Sequence, residues 1–198
     1  MTDELRTVYI DFLSNQPKND QSREEIATLL RGRFEQKLSG TIDRYWELPG
    51  IMVLNPDDQY RELLLEAREL FLAGFFYSCV AMCGIVAERL VKDLFRASLI
   101  IQRNGKTEIP TKEAFDQLEN VETRGIIQFL GKTGLLTEEV AHSAKDLGEL
   151  RNRYAHARGK IPQTDAIEAI KKLHTIVEGT VSVFKDFEIK DGRLMPKS

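Results

Sequence analysis

The sequence predicts an all-α fold, and three observations support this prediction. Apolar residues recur every three or four positions through most of the chain, which is the spacing of amphipathic helices. No run alternates apolar and polar residues convincingly, as a half-buried strand would. Glycine and proline punctuate the helical stretches. We expect an up-down bundle of four to five helices over residues 56–190, an N-terminal helical extension over residues 1–55, and a tail at residues 191–198.

The composition is typical of a single domain with a charged surface. Of the 198 residues, 42% are hydrophobic and 30% are charged, which is enough apolar material for a core. The net charge of −3 argues against a surface that binds nucleic acid everywhere. Any RNA contact is therefore expected from a local basic patch. The start of the sequence does not resemble a secretory leader, so a cytoplasmic location is predicted.

Residues 1–55 are predicted to form an accessory helical layer. Residues 2–16 have the pattern of a short amphipathic helix. A second helix is predicted to begin with the capping-box pair Ser22 and Glu25 and to end at residues 39–40. Residues 41–56 are predicted to be a loop-rich connector, in which residues 51–54 form either a short strand or a packed turn. The side chains expected to face inward from the second helix are Ile26, Leu29, Leu30 and Phe34.

The next stretch predicts a helical hairpin. Residues 55–58 have a helix-start pattern, with proline in the first turn followed by acidic residues. Residues 70–87 contain no charge and approach the length of a membrane span. Gly74 has the position of a helix-ending glycine, so two helices are expected there, and no membrane segment. Cys79 and Cys83, four apart on a helix, are predicted to be buried free thiols.

The remainder of the chain predicts four more helices. After a helix over about residues 76–102 and a break at 103–111, two short helices are expected at about 112–119 and 121–131. Residues 137–139 open the next helix, which Gly159 and Pro162 close. The final helix is predicted over about 164–187. The apolar positions expected to form the core of these last two helices are Val140, Ala144, Leu147, Leu150 or Arg151, Tyr154, Ile167, Ile170, Leu173, Val177, Val181 and Phe184.

Two familiar site patterns are not supported. Residues 131–133 read Gly-Lys-Thr, like the end of a phosphate-binding loop, but the upstream glycine has the wrong spacing and a helix precedes it. We interpret this stretch as a helix-ending turn. The three histidines do not have the spacing of metal ligands, so neither a metal nor a cofactor is expected.

A basic cluster near the end of one helix is the candidate functional site. Residues 151–160 hold four fixed positive charges and a histidine, without a carboxylate. Asn152 and His156 lie four apart and would share a helix face. Arg151 would lie about 140° around an ideal helix from His156, so it must reach round or meet a second copy. The alternative remains open that these residues only complement the helix dipole and cap its carbonyls.

The pattern Arg-Asn-x-x-x-His in residues 150–157 resembles the signature of HEPN domains (higher eukaryotes and prokaryotes nucleotide-binding). Residues 66–81, continuing to residues 87–90, are similar to the helical hairpin of prokaryotic HEPN proteins. The resemblance covers residues 57–187 in outline and excludes residues 1–55. It implies a helical bundle that forms a homodimer and brings two Arg–His motifs together in a basic cleft.

The resemblance also implies a metal-independent endoribonuclease that cuts RNA by transesterification at its own 2′-OH. His156 would act as general acid or base, Arg151 would stabilise the transition-state charge, and Asn152 would position the phosphate or the ring. Glu88 matches the acidic position of the hairpin and is predicted to pair with Arg151 or Arg153 as structural support. The residues expected to bind flanking phosphates are Arg153, Arg158 and Lys160, and Tyr154 is expected to support the site from the core.

Three functional hypotheses follow. The leading one is a ribonuclease that acts as a toxin or phage-defence effector, with RNA as substrate and an antitoxin or defence protein as partner. The second is a non-catalytic HEPN module for dimerisation or for binding RNA or nucleotides in a larger assembly. The third is a helical adaptor that uses residues 1–55 as its partner-binding surface.

Overall fold

The structure, a computed structural model, describes residues 19–50, 60–117, 121–181, 187–190 and 193–196. It confirms the predicted all-α helical bundle, to which two small antiparallel hairpins are added. The helices are α1 (Asp20–Trp46), α2 (Tyr60–Leu72), α3 (Phe76–Ser98), α4 (Lys112–Asp116), α5 (Thr123–Lys132), α6 (Glu138–Ala155) and α7 (Pro162–Thr180). The strands are β1 (Ile101–Arg103), β2 (Lys106–Glu108), β3 (Phe187–Lys190) and β4 (Arg193–Pro196).

The chain divides into two compact units, residues 1–40 and residues 41–198. The division predicted at residue 55 falls within residues 51–59, outside the described part of the chain, and it stays a prediction. The expected helix at residues 2–16, the strand or turn at 51–54 and the helix start at 55–58 also lie outside the described residues.

Helix α1 differs from the prediction in three ways. The backbone N–H of Ser22 donates to Asn19 Oδ1 (2.8 Å), so Asn19 caps the helix and Ser22 does not. The helix continues through residues 39–40 to Trp46, because one glycine costs a helix only about 1 kcal/mol. The four side chains predicted to face inward are exposed, since amphipathic spacing defines an apolar face without specifying what covers it: Ile26, Leu29, Leu30 and Phe34.

Helix α3 is the centre of the bundle in residues 41–198. It contacts α2, α5, α6 and α7, and α6 packs against both α5 and α7. Its apolar face is broad, as the sequence predicts, because apolar residues occupy most positions on one side of the helix. The side chains that α3 buries most completely are Cys79, Val80, Cys83, Val86, Leu90 and Val91.

The uncharged stretch at residues 70–87 forms two helices, as predicted. α2 ends at Leu72, and Gly74 has a φ of 81°. The backbone N–H of Gly74 donates to Phe71 O (3.0 Å) and that of Phe75 donates to Leu70 O (2.8 Å), which is the Schellman helix ending. Among the described residues, no helix combines the length and the apolar character that a membrane span requires.

The two cysteines of α3 are buried free thiols, as predicted. A hydrogen bond with Cys79, together with burial, raises the pKa of the Cys83 thiol well above its ordinary value. Both groups therefore behave as small apolar side chains in the core.

The two hairpins were not predicted. α3 ends at Ser98, and β1 pairs antiparallel with β2 across Asn104 and Gly105, whose φ values are 52° and 74°. α7 ends at Thr180, so the predicted helix to residue 187 was too long, and β3 pairs with β4. The sequence contains the signal for both hairpins, because Asn-Gly (104–105) and Asp-Gly (191–192) favour two-residue hairpin turns. Phe184, expected in the core, lies outside the described residues.

The later helices match the prediction in their order. The Thr137 hydroxyl accepts the backbone N–H of Val140 (3.3 Å), which caps α6 as expected. The turn after α5 is a helix ending, as interpreted, with Gly134 at a φ of 75°. The predicted core positions of α6 that are buried are Val140, Ala144, Leu147, Leu150 and Tyr154.

Candidate functional site

A solvent-open groove of about 450 Å³ lies between α3, α5 and α6. Its apolar lining comes from small and branched side chains such as Ala87, Val91 and Ile127. Two of the three predicted catalytic residues, Arg151 and Asn152, also line it. The groove therefore presents a guanidinium and an amide to solvent, with largely buried apolar side chains beneath them.

Arg151 is positioned by a close approach of α6 to α3. Gly84 lies beneath its side chain, and a Cβ atom at Gly84 would stand 2.6 Å from both Cβ and Cγ of Arg151. The stem of the arginine thus packs against helix backbone, while 39% of its side chain stays exposed at the groove. Only glycine leaves room for this arrangement.

Glu88 lies between two cations. Its Oε2 is 3.6 Å from Arg151 Nη2, which confirms the predicted pairing with Arg151. Its Oε1 is 2.9 Å from Nζ of Lys92, a buried lysine. Burial raises the pKa of Glu88, but the hydrogen bond and charge of Lys92, helped by Thr123 and Arg151, outweigh that effect and lower the pKa from 4.5. Glu88 is therefore a carboxylate at neutral pH, held more tightly by Lys92 than by Arg151.

The remaining rim of the groove carries both signs of charge. Arg124 and Lys145 contribute positive groups, and Glu122 and Glu149 contribute negative ones. Lys145 Nζ lies 4.0 Å from Glu149 Oε1. Because exposed pairs of this kind are weak, they leave the rim adaptable but do not make it uniformly basic.

His156 lies just beyond the helix that carries Arg151 and Asn152. α6 ends at Ala155, and His156 has φ −98° and ψ 18°. Its side chain is exposed, and it is not among the residues that line the groove. The shared face predicted for Asn152 and His156 assumed an unbroken helix. The helical spacing does reach His156, the C-cap of α6, because its backbone N–H still donates to Asn152 O (3.3 Å); the helix ends there.

Residues 156–161, which we call the basic loop, follow α6 and contain two of the predicted RNA-binding cations, Arg158 and Lys160; the third, Arg153, lies in the last turn of α6. The N–H of Ala157 donates to Tyr154 O (3.0 Å), and the N–H of Arg158 donates to Arg153 O (2.9 Å). This is the Schellman ending again, with Ala157 at a φ of 52° where glycine is usual. The side chains of Arg153, Arg158 and Lys160 are all exposed.

Tyr154 connects the basic loop to the core. Its hydroxyl donates to Asp165 Oδ2 (2.6 Å) in the first turn of α7. Tyr77 of α3 stacks edge-on against its ring at 4.6 Å between centroids, and the Tyr77 hydroxyl donates to the carbonyl of Gly159 (3.1 Å). Burial, together with the hydrogen bond to Asp165, raises the pKa of Tyr154 well above its ordinary value. The hydroxyl is therefore a permanent donor near neutral pH.

Residues 65–194 match the family described as domain of unknown function (DUF4145), which is well over half of the chain. The chain belongs to this family. No curated protein and no solved structure matches it significantly. The DUF4145 segment contains the groove and the basic loop in full, whereas α1 precedes it.

Sequence reasoning missed several residues that shape this part of the DUF4145 fold. Gly84 gave a usable signal, because an isolated glycine inside a helical pattern often marks close packing. Lys92 gave one too, since it stands four residues after Glu88 on the same helix face. Gly159 gave a partial signal as the predicted helix-ending glycine, although α6 ends at Ala155 and Ala157 takes the positive φ. Tyr77 and Asp165 gave none, because their contacts with Gly159 and Tyr154 join segments that are not adjacent in sequence.

Proposed function

We propose that this DUF4145 protein is a metal-independent endoribonuclease of HEPN type. One observation supports the proposal most: Arg151 is held at an open groove by Gly84 and Glu88, and an exposed imidazole, His156, follows on the same chain segment. The Arg-Asn-x-x-x-His resemblance supplies the reaction. We further propose a cytoplasmic toxin or phage-defence role, with an antitoxin or defence protein as partner, on the resemblance alone.

The proposed reaction uses the RNA's own ribose. His156 accepts the 2′-OH proton, a role that imidazole side chains commonly have in proton transfer. The 2′ oxygen bonds to phosphorus, the bond from phosphorus to the 5′ oxygen breaks, and that oxygen takes up a proton. Arg151 donates hydrogen bonds to the charged oxygens of the transition state. The products are a 2′,3′-cyclic phosphate and a 5′-hydroxyl end, and DNA is not a substrate because it lacks the 2′-OH.

The separation of His156 from the groove favours a homodimer in this proposal. Within one chain, Arg151 and Asn152 line the groove and His156 does not. A second copy would place a second set of these groups against the same RNA, so that acid and base come from different chains. Arg153, Arg158 and Lys160 then bind flanking phosphates, each with salt-dependent strength.

The ribonuclease proposal is tested by incubating RNA with the purified protein in EDTA. The wild type is expected to release fragments that end in a 2′,3′-cyclic phosphate, and His156→Ala is expected to lose about 10²–10⁴-fold in rate. His142→Ala is the matched control, because His142 is also an exposed histidine and belongs to the same helix as Arg151, where it pairs with Asp146 four residues on. Undiminished cleavage by His156→Ala would remove the histidine from the mechanism.

A second candidate, a non-catalytic RNA-binding module, is favoured by the contact between Glu88 and Arg151, since that guanidinium is already partly neutralised. It predicts that RNA is bound but stays intact for hours. Arg151→Ala would then weaken binding by about tenfold, the loss of one charge-assisted contact. Arg61→Ala, which removes an exposed arginine of α2 away from the groove lining, is the control expected to bind normally.

A further inference from the structure

We propose that Tyr77, Tyr154, Gly159 and Asp165 form a clamp that fixes the basic loop in one conformation and so positions its cations for RNA. These are positioning residues and do not themselves touch the substrate. The inference rests on the proposed function for its RNA partner, but the ordering of the loop is a property of the protein alone. Four contacts and one strained residue support it.

The two ends of the basic loop are tied together by one hydrogen bond. Tyr154 belongs to the last turn of α6 and Asp165 to the first turn of α7, so the loop leaves and returns on either side of this pair. The hydroxyl of Tyr154 donates to Asp165 Oδ2 at 2.6 Å, and both residues are buried. A hydrogen bond to a carboxylate that is shielded from water is strong, and it fixes the span of the loop.

The middle of the loop is held against the ring of Tyr154. A Cβ atom at Gly159 would stand 2.5 Å from Cε1 and Cζ of that ring, so only glycine allows the backbone to approach the ring this closely. Tyr77 closes the contact from α3, because its hydroxyl donates to the Gly159 carbonyl and its ring stacks on Tyr154. Arg158 and Lys160 stand on either side of this fixed glycine, with exposed side chains.

Backbone strain shows that the surroundings determine the conformation of the loop. The described chain has three helix endings of the same kind, after α2, α5 and α6, and the first two use Gly74 and Gly134 at the positive-φ position. The third uses Ala157, between His156 and Arg158. An alanine keeps this conformation only where neighbouring contacts over-determine it. A loop held in this way loses less freedom when a ligand binds, which favours affinity.

The test removes one hydroxyl from the clamp. Tyr77→Phe keeps the ring but loses the bond to Gly159, and one hydrogen bond corresponds to a change of about five- to tenfold. We expect hydrogen exchange of the amides in residues 156–161 to accelerate by about that factor. RNA affinity, measured over a range of salt concentrations, should fall several-fold and show a shallower salt dependence, because fewer phosphates are contacted at once.

Two controls accompany this variant. Tyr45→Phe makes the same change on another exposed tyrosine, stacked edge-on against Trp46, and should leave exchange in the loop and RNA binding at wild-type values. Gly159→Ala adds a Cβ against the Tyr154 ring and should shift both measurements in the direction of Tyr77→Phe. Its control is Gly32→Ala in α1, since a Cβ at Gly32 meets no atom within 4 Å and Gly32 is not part of the groove lining.

The outcomes separate the clamp from the proposed function. Unchanged loop exchange in Tyr77→Phe would overturn the clamp. Faster exchange with unaltered RNA affinity and salt dependence would overturn its positioning role. If the wild type binds no RNA, the proposed function and the positioning role both fail, while the exchange data still decide whether these four residues order the loop.

Discussion

At the scale of single residues, the position of Arg151 is determined by a residue that has no side chain. Gly84 allows α6 to approach α3 so closely that the arginine stem packs on helix backbone. The guanidinium then reaches the groove and Glu88. A charged side chain that rests on a neighbouring helix has fewer rotamers than one in solvent, so its head group is presented in a more defined place.

Gly84→Ala is therefore expected to destabilise the protein. The added methyl overlaps the arginine stem, and forced repacking of this kind costs about 1–3 kcal/mol, against a gain in helix propensity of about 1 kcal/mol. Urea unfolding measures the change. Gly148→Ala, which adds a methyl in open space on α6, should instead raise stability by about 0.5–1 kcal/mol. Equal stabilities of the two variants would contradict the packing account of Arg151.

At the scale of residues, the ion pair between Glu88 and Arg151 was the contact that the sequence predicted best. The pairing of Glu88 with Arg151 could be predicted because a partly buried arginine needs an acidic partner. The role of Lys92 as the nearer partner could not, since a lysine four residues on also suits an exposed helix face. The absence of His156 from the groove lining could not be predicted either, because the groove forms only where α3, α5 and α6 come together in the fold.

At the scale of elements, the conformation at helix ends explains why some helix boundaries were predicted correctly and others were not. Gly74 stops α2 because its φ of 81° is needed there, whereas Gly40 lies inside α1 without ending it. The same residue type thus has opposite consequences, and only the backbone conformation distinguishes them. The hairpin at Asn104–Gly105 was not predicted, although its local signal would have been sufficient, because two adjacent positive φ values define the turn.

The three Schellman endings give a matched set of substitutions. Gly74→Ala and Gly134→Ala are expected to lose about 1–2 kcal/mol each, because alanine is disfavoured at positive φ. Ala157→Gly should change stability in the opposite direction, by less than about 1 kcal/mol, since relief of strain is partly offset by a more flexible unfolded chain. Thermal unfolding of the three variants checks this. A destabilised Ala157→Gly protein would show that the alanine side chain itself is needed.

At the scale of the whole molecule, the fold class and the core were predictable because apolar periodicity extends over each long helix. The buried cluster runs from Tyr60 to Val177 and contains most of the predicted core positions. The exposure of α1 was not predictable. Periodicity locates an apolar face, and Ile26, Leu30 and Phe34 share one, but burial depends on what another part of the structure provides.

Acid should destabilise the bundle through its ion pairs. The pKa values of two carboxylates, Glu88 and Asp146, are lowered in the folded protein. That of Asp146 is lowered from 3.8, mainly by the hydrogen bond that Lys172 donates to it (2.8 Å). Groups whose pKa is lower in the folded state contribute stability above their unfolded pKa, and this contribution is lost as the pH falls through the folded value. The melting temperature should thus fall as the pH drops below about 4.5.

Lys172→Met isolates the contribution of Asp146 to this acid dependence. Without its lysine partner, Asp146 regains a more ordinary pKa, so the melting temperature should be lower at neutral pH and vary less between about pH 5 and pH 3. Lys171→Met, which changes the neighbouring exposed lysine, should keep the wild-type pH profile. A profile for Lys172→Met as steep as that of the wild type would mean that other acids control the transition.

The position of the only two sulfur nucleophiles of the chain, Cys79 and Cys83, has a practical consequence. Both have no accessible surface, and they lie on the helix that every other large helix of the bundle touches. An alkylating reagent can reach them only when α3 separates from its neighbours, so the rate of alkylation follows the opening of the bundle itself. The alkylation rate of Cys79 and Cys83 therefore reports how often the bundle opens, and no label needs to be introduced.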